Sequence, residues 1–257
     1  MQDLRISFVQ LDTLWEDIEG NLAQLTDIVK EVPKESDLLV LPETFSTGFT
    51  MEPEKWAETM NGKAVNWMRT AAQEKDLIVA GSLVIKEDNA YFNRFVFVHP
   101  DGSVQYYNKR HLFSLAGEDE HYNKGDENII VEVNGWKIRP QVCYDLRFPV
   151  WSKNTDNYDV LLYTANWPAK RIEHWRKLLM ARAIENQSYV IGVNRVGTDG
   201  NQLEYNGNSM CVGPMGDVLT EVVDKQGLIN MSLEYSPISS FRDFLSVLND
   251  SDQFTID

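Results

Sequence analysis

The sequence has little of what several large classes of protein require. Its 257 residues include only two cysteines, Cys143 and Cys211, which is too few for a disulfide framework in a chain of this length. Its apolar runs stay below the roughly 18–20 residues that cross a bilayer, and its start, MQDLRISFVQ, lacks a basic stretch before a long apolar one. We therefore expect no membrane segment, no secretory leader and a reducing cytoplasm.

Basic residues are also scarce. The chain has 24 Lys and Arg against 39 Asp and Glu, which gives a formal net charge of −15. Nucleic-acid backbones are bound by clustered Lys and Arg, so this charge argues against nucleic acid as a partner. A small anionic substrate stays possible, because one local arginine can outweigh the field of the whole surface.

Motifs that bind cofactors or metals are absent as well. The sequence has no G-x-G-x-x-G, G-x-x-x-x-G-K-[ST], H-E-x-x-H or C-x-x-C motif, and no G-x-S-x-G turn of a serine hydrolase. The four histidines are too scattered to suggest a metal site: His99, His111, His121 and His174. We therefore expect neither a cofactor nor a metal ion.

The hydrophobic pattern predicts a mixed sheet protein. No linker or repeat interrupts it, which favours one domain over residues 1–257. Eleven short apolar or β-branched runs predict strands: 4–10, 37–43, 77–85, 94–100, 103–109, 129–133, 137–145, 159–166, 189–196, 209–214 and 228–233. Helical spacing marks 20–32, 63–75 and 173–187, and Asn134-Gly135 predicts a hairpin. So many consecutive strands favour two α/β sheets packed face to face with helices outside.

Glu43 is the first candidate for chemistry. It closes the apolar run LLVLPE (38–43), and desolvation at the edge of a core makes a carboxylate a usable general base. A solvated strand end is the ordinary alternative, but the aromatic, glycine-bearing TFSTGF that follows is unlike a common polar loop.

Lys109 is the second candidate, because it ends SVQYYNK (103–109) and precedes the acidic stretch GEDE. A lysine among carboxylates stays charged and can polarise a carbonyl oxygen. Its ordinary alternative is a surface lysine that pairs with the basic neighbour Arg110.

Cys143 is the third candidate. It lies where the apolar strand IRPQV ends and the polar turn YDLRF begins, and open α/β sheets place ligands at such strand ends. Helix-start amides or a nearby lysine would lower the pKa of its thiol and create a nucleophile. The alternative is a small core residue, which is the interpretation we keep for Cys211.

With these residues in view, the chain resembles the nitrilase (carbon–nitrogen hydrolase) superfamily over nearly its whole length. Four segments carry the resemblance: LLVLPETFSTGF (38–49), YNKRHLFSLAGEDEHYNKG (107–125), RPQVCYDLRFPVW (139–151) and LLYTANWPAKRIEHWRKLLMARAIENQSYVIGVNRVG (161–197). The combination of KRHLF, CYDLRFPVW and ANWP is most similar to the ω-amidase branch, which hydrolyses 2-oxoglutaramate and 2-oxosuccinamate.

The resemblance implies a four-layer α-β-β-α sandwich and a Glu-Lys-Cys triad. Glu43 would be the general base and Cys143 the nucleophile that forms a thioester. Lys109, with the backbone N–H of Tyr144, would stabilise the oxyanion. The family also has a second glutamate, typically seven residues before a glycine. Counting back from Gly125 gives Glu118, with Glu120 as the alternative.

The resemblance also suggests how a substrate is held. Arg147, four residues after the cysteine, would bind the substrate carboxylate as a bidentate partner, unless it forms a structural ion pair with Asp145 or another carboxylate. A Thr-rich stretch of eukaryotic-type members is replaced here by ANWPAKRIEHW. Lys170, Arg171 or the backbone near Trp167 could complete the site, and Phe45 and Trp167 are candidate walls of the pocket.

The expected function is thus hydrolysis of the terminal amide of a small 2-oxo dicarboxylic acid monoamide. Two alternatives stay open. An N-carbamoyl hydrolase, aliphatic amidase or nitrilase would keep the triad, and a non-catalytic binding protein would keep the fold alone. Family members often pair, so we expect a homodimer. The apolar face of the C-terminal segment could serve that interface or cap a sheet: Phe241, Phe244, Leu245 and Leu248.

Overall fold

Two β-sheets and the helices that cover them make up the fold of residues 1–255, which are the residues that the computed structural model describes. The strands are β1 (Leu4–Gln10), β2 (Leu38–Val40), β3 (Ile78–Glu87), β4 (Ala90–Val98), β5 (Val104–Asn108), β6 (Val131–Val133), β7 (Trp136–Val142), β8 (Val160–Thr164), β9 (Tyr189–Val193), β10 (Val196–Thr198), β11 (Glu204–Val212), β12 (Val218–Val223) and β13 (Gly227–Leu233). The helices are α1 (Ile18–Lys30), α2 (Pro53–Trp56), α3 (Lys63–Lys75), α4 (Glu118–His121), α5 (Pro149–Ser152), α6 (Ile172–Asn186) and α7 (Ser236–Phe244).

Each sheet has three parallel strands at its centre. The first sheet has the order β13-β1-β2-β3-β4-β5, and β1, β2 and β3 run parallel. The second has the order β10-β11-β9-β8-β7-β6 with β12 beside β11, and β7, β8 and β9 run parallel. Antiparallel strands extend both sheets outward, which explains why the sequence shows more consecutive strands than a doubly wound sheet would.

Alternation along the central strands divides the buried residues into layers. In β2, Leu38 and Val40 belong to the core that the two sheets share, whereas Leu39 faces the other way with Leu41. In β8, Leu162 joins the shared core and Leu161 joins the opposite cluster. Both faces of these strands are therefore buried, as the period of two in a strand requires when each sheet is covered on both sides.

Helices form the two outer layers. Apolar residues of α1 and α3 pack on the outer face of the first sheet, and α6 packs on the second through Trp175, Leu179 and Ala183. This arrangement is the predicted α-β-β-α sandwich. The predicted α3 matches the observed bounds, whereas α1 begins two residues earlier than predicted, after Asp17 caps it through a 2.9 Å bond from the N–H of Gly20.

Two strands were not predicted. β10 has three residues, and β12 is an edge strand in which Val218 and Leu219 are exposed, so neither shows a clear alternation. The predicted hairpin is confirmed, because Asn134 and Gly135 join β6 to β7 with φ angles of 51° and 86°. At the C-terminus, Ile238 of α7 caps the shared core while Phe244 is 86% exposed.

The fold brings together the polar ends of strands from both sheets. Glu43 follows β2 and Lys109 follows β5 in the first sheet, whereas Cys143 follows β7 in the second. Asn166 follows β8, which runs parallel to β7. The candidate site is therefore built at one edge of the sandwich, where loops leave the strands.

The contact between α6 and β9 allows a test of the outer layer. A Cβ atom on Gly192 would lie 2.5 Å from Trp175 Cζ2 and 2.6 Å from Leu179 Cδ1. We expect Gly192→Ala to lower the free energy of unfolding by about 1–3 kcal/mol, because the core must move to accept the methyl group. Denaturant titration measures this loss. Gly227→Ala is the control, since nothing lies within 4 Å of its added Cβ, and equal stability of both variants would contradict the packing described.

Candidate active site

A buried ammonium shared by two carboxylates lies at the centre of the site. Lys109 Nζ is 2.9 Å from both carboxylate oxygens of Glu118 and 3.1 Å from Oε1 of Glu43. All three side chains are 0% exposed. A buried charge is tolerated when opposite charges and hydrogen bonds compensate its lost hydration, so each of the three depends on the other two.

The surroundings keep Lys109 protonated. Burial alone would lower its pKa, but the negative charges of Glu118 and Glu43 outweigh burial and raise it above the ordinary value. The expectation that acidic neighbours hold this lysine charged is therefore met by the geometry. A fixed positive charge lies where an oxyanion could form.

Glu118, rather than Glu120, is the carboxylate that reaches Lys109. Its Oε2 also accepts a 2.6 Å bond from the backbone N–H of Phe113, whereas Glu120 is exposed. Burial raises the pKa of Glu118, and the charge of Lys109 opposes that rise. The structure thus separates the two glutamates that the sequence left open.

Two asparagines hold the carboxylates in place. Asn93 Nδ2 donates to Glu43 Oε1 at 2.8 Å and to Glu118 Oε1 at 3.3 Å. The backbone N–H of Asn166 donates to Glu43 Oε2 at 2.6 Å, and its Nδ2 bonds the backbone oxygen of Glu43 at 3.0 Å. Sequence reasoning did not assign roles to them. The ANWP segment was a signal for Asn166, but Asn93 lies inside a strand without any distinguishing pattern.

Cys143 occupies a strained turn. It begins a short 3-10 turn, Cys143–Arg147, directly after β7, and its φ of 42° lies in the left-handed region that non-glycine residues avoid. Such strain persists where surrounding structure fixes the backbone, and it is concentrated at functional sites. The turn aims the sulfur into the cavity and gives the N–H of Tyr144 a place in the first turn, where helix N–H groups lack intrahelical partners.

The thiol environment differs from the predicted one. We expected nearby positive groups to lower the thiol pKa. Instead, burial first, then the charge of Glu43, raise the pKa of Cys143 well above its usual range, and Lys109 only partly opposes this. The resting cysteine is therefore a neutral thiol, which requires a base rather than ionising by itself.

Asp145 ties the cysteine turn to the lysine loop. Its Oδ2 accepts from Val142 N–H at 2.9 Å and from the hydroxyl of Tyr107 at 2.8 Å. Its Oδ1 lies 2.9 Å from the backbone nitrogen and 2.8 Å from Nδ1 of His111. Asp145 is thus fully engaged and is not a partner for Arg147.

A cavity of about 600 Å³ opens beside these groups. Cys143, Tyr144, Arg147 and Trp167 line it, as predicted. The rest of the lining comes from Trp15, Glu16, Glu43, Phe49, Thr50, Met51, Glu52, Lys109, Phe113, Ala116, Asn166, Pro168, Arg171, Asp199, Asn201, Leu203 and Tyr205. A volume of this size suits a small-molecule ligand.

Phe45 does not lie at the cavity. Its side chain is fully buried in the outer core of the first sheet, where its ring centre is 6.2 Å from that of Trp67. Phe49, four residues later, lines the cavity instead, with its ring 5.1 Å from Lys109 Nζ. Both phenylalanines follow Glu43 in an aromatic stretch, so composition alone could not separate a core residue from a pocket wall.

Arg147 has no carboxylate partner among residues 1–255. Its guanidinium lies 4.8 Å from the ring centre of Trp167, and Nη2 donates to Nδ1 of His174 at 3.2 Å. Two carboxylates of the cavity, by contrast, have partners within the protein. Asp199 accepts from the hydroxyl of Tyr205 at 2.9 Å, and Glu52 pairs with Lys55 at 2.7 Å.

Within the described chain, no group of three or more His, Cys, Asp or Glu side chains is placed to hold a metal ion. No helix in residues 1–255 has the length and apolar character to cross a membrane.

Similarity to known proteins identifies the family. The family model for carbon–nitrogen hydrolases matches residues 5–242, so the chain belongs to the carbon–nitrogen hydrolase family. Over 100% of both chains it is 42% identical to the omega-amidase YafV of Escherichia coli. It is 31% identical to a 2-oxoglutaramate amidase of Bacillus subtilis, over 95% of this chain and 96% of the relative.

A solved structure gives the same assignment. A CN-hydrolase superfamily protein from Xanthomonas campestris, with an arsenic adduct in its active site, matches with a TM-score of 0.98 and 40% identity over 100% of both chains. The protein is therefore an amidase of the nitrilase superfamily, a hydrolase that acts on carbon–nitrogen bonds other than peptide bonds.

The raised thiol pKa leads to a test of the charge cluster. The charge of Glu43 is one cause of the rise, so Glu43→Gln should lower the thiol pKa and move the alkylation of Cys143 to lower pH. Iodoacetamide labelling across a pH series, read on the Cys143 peptide by mass spectrometry, measures the inflection.

The matched control for this test is Glu120→Gln, which removes an exposed carboxylate and should leave the inflection unchanged. An upward shift, or no shift, in Glu43→Gln would contradict the proposed electrostatic origin of the thiol pKa.

Proposed function

We propose that the protein is an ω-amidase that hydrolyses the terminal amide of 2-oxoglutaramate, 2-oxosuccinamate or a similar 2-oxo dicarboxylic acid monoamide. The observation that carries this proposal is that one small cavity holds both a Glu-Lys-Cys arrangement and an arginine without a carboxylate partner among residues 1–255. The names of the relatives support the same substrate class.

The first half-reaction begins at the neutral thiol. Glu43 takes the proton from Cys143, and the sulfur attacks the amide carbon. The resulting oxyanion is met by the ammonium of Lys109 and the N–H of Tyr144, which act where negative charge develops. Collapse of this intermediate breaks the C–N bond. Glu43 returns the proton to the leaving nitrogen, and ammonia departs while the acyl group remains on sulfur as a thioester.

Water completes the second half-reaction. Glu43 removes a proton from a water molecule, whose oxygen attacks the thioester carbon, and the thiolate leaves and recovers that proton. Glu118 keeps Lys109 charged and in place during both halves, since its carboxylate contacts the ammonium through both oxygens. No step calls for a metal or a cofactor.

Arg147 holds the far carboxylate of the substrate. Its guanidinium is supported on the ring of Trp167 and faces the cavity, so a carboxylate can form a two-point contact with it. Arg147 gives this part of the cavity a local positive charge, although the chain as a whole has a net charge of −15. A dicarboxylic acid monoamide fits this cavity, because its amide can reach the thiol of Cys143 while its carboxylate reaches Arg147.

Cys143→Ala should reduce ammonia release from 2-oxoglutaramate to background, because the variant has no nucleophile. The control is Cys211→Ala, which removes a buried core thiol on β11, outside the cavity lining. That variant should keep its activity per folded molecule. Circular dichroism confirms the fold of both, and substantial activity in Cys143→Ala would refute the mechanism.

Arg147→Ala should raise KM for 2-oxoglutaramate by about 10- to 100-fold, the usual effect of losing a charged hydrogen-bonded pair. KM for an uncharged aliphatic amide should change far less, because that amide has no carboxylate to bind. Steady-state assays with both substrates measure the difference. Equal effects would remove Arg147 from the carboxylate site.

An ammonia-release screen decides between this proposal and its alternatives. The substrates are 2-oxoglutaramate, 2-oxosuccinamate, glutamine, an N-carbamoyl amino acid, an aliphatic amide and a nitrile. Preference for the two 2-oxo acids supports the proposal. If another compound is preferred, the proposed substrate class is wrong but the Glu-Lys-Cys mechanism still applies. If no compound is hydrolysed, a non-catalytic binding protein is favoured.

The proposal also includes the setting of the enzyme: one domain, a homodimer and a reducing cytoplasm. Both cysteines are unpaired, which fits a reducing compartment. Exposed apolar side chains on α5 and at the C-terminal segment support pairing: Val150, Phe244 and Leu245. Light scattering coupled to size-exclusion chromatography would return the mass of one chain if the dimer is wrong.

A further inference from the structure

Arg171 is a second arginine in the cavity, and the sequence named it only as one of several candidates to complete the carboxylate site. It ends the 3-10 turn Ala169–Arg171 before α6, and its guanidinium lies 5.2 Å from the ring centre of Phe113. Within residues 1–255 its side chain has neither a carboxylate partner nor a hydrogen bond. Arg176, on α6, shows the usual state of an arginine here, since it pairs with Glu221 at 2.6 Å.

The backbone of Arg171 is fixed next to Arg147. The indole Nε1 of Trp167 donates to the carbonyl oxygen of Arg171 at 2.8 Å, and the ring of the same tryptophan supports the guanidinium of Arg147. Burial is the main cause that lowers the pKa of Arg171, and repulsion by the guanidinium of Arg147 adds to it. Two guanidinium groups thus lie in one region of the cavity, and neither is paired with a carboxylate of the described part of the chain.

An anionic ligand with more than one hydrogen-bond acceptor can pair with both guanidinium groups at once. The substrate carboxylate pairs with the guanidinium of Arg147. The guanidinium of Arg171 then needs a different acceptor on the substrate. In a 2-oxo acid, the ketone oxygen lies directly next to the carboxylate and accepts hydrogen bonds. In a 2-amino acid, the same position carries an ammonium group, which has no acceptor and is repelled by a cation.

We propose that Arg171 binds the 2-oxo oxygen of the substrate and thereby selects 2-oxo monoamides over the corresponding 2-amino monoamides. This inference rests on the proposed function, and it adds the residue that distinguishes 2-oxoglutaramate from glutamine. Three carboxylates of the cavity already have hydrogen-bond or ion-pair partners. Glu16 accepts from Thr50, Asp199 accepts from Tyr205, and Glu52 pairs with a lysine.

The test compares three five-carbon monoamides that differ at one position. They are 2-oxoglutaramate, glutamine and glutaramate, which has no substituent at carbon 2. The variants are Arg171→Met, which keeps length and contact with Phe113 but removes the charge, and Arg171→Lys, which restores the charge alone. Lys170→Met is the matched control, because Lys170 is exposed and does not line the cavity.

Arg171→Met should lower kcat/KM for 2-oxoglutaramate by about 10- to 100-fold, the range for a lost charged hydrogen bond. The loss for glutaramate should be clearly smaller, and activity on glutamine should stay equal or rise. Arg171→Lys should recover part of the selectivity, and Lys170→Met should behave as the wild type. Thermal unfolding confirms that each variant is folded.

Three results would overturn the inference. They are an equal loss on 2-oxoglutaramate and glutaramate, an unchanged ratio of 2-oxoglutaramate to glutamine, and the same change in Lys170→Met. These results leave the proposed function intact, since the wild type would still hydrolyse the 2-oxo acid. A wild type that ignores 2-oxoglutaramate but hydrolyses another amide would refute the proposed function together with the inference.

Discussion

One buried ammonium group holds the candidate site together. Lys109 Nζ contacts Glu118 and Glu43 at 2.9–3.1 Å, with none of the three side chains exposed. Without this ammonium, two carboxylates would be buried side by side with neither an opposite charge nor hydration to compensate them. This constraint explains why the positive charge persists beside the thiol. Burial and the charges of Glu43 and Glu118 disfavour a third anion, so the pKa of the thiol is raised rather than lowered.

The sandwich supplies that cluster from both of its sheets. Glu43 and Lys109 come from the first sheet and Cys143 from the second, while Asn166 of the second sheet bonds both the carboxylate and the backbone of Glu43. The distance between base and nucleophile is therefore fixed by packing between sheets. Trp167, which supports Arg147, also follows a strand of the second sheet, so one sheet positions both the nucleophile and the anion-binding region.

Sequence patterns predicted two sheets covered by helices, and they marked Glu43, Lys109 and Cys143 as candidates because each follows an apolar run. The family resemblance supplied their roles and limited the second glutamate to two positions, of which Glu118 is the buried one that contacts Lys109. Other features depend on spatial proximity. Asn93 is separated from Glu43 by 50 residues, so the sequence does not show their contact. Phe45 and Phe49 belong to the same aromatic segment, and only the packing of the core shows which of them lines the cavity. The direction of the thiol pKa could not be predicted either, since it depends on the sum of burial and three nearby charges.

If Glu43 activates Cys143, the sulfur carries the acyl group of the substrate during turnover. Rapid mixing with 2-oxoglutaramate, an acid quench and mass spectrometry of the digested protein would detect this acyl-enzyme. We expect the Cys143 peptide to gain the mass of the substrate less ammonia, and we expect no such adduct in Glu43→Gln. Turnover in the wild type with unmodified Cys143 at every quench time, or an adduct on another residue, would refute a thioester on Cys143.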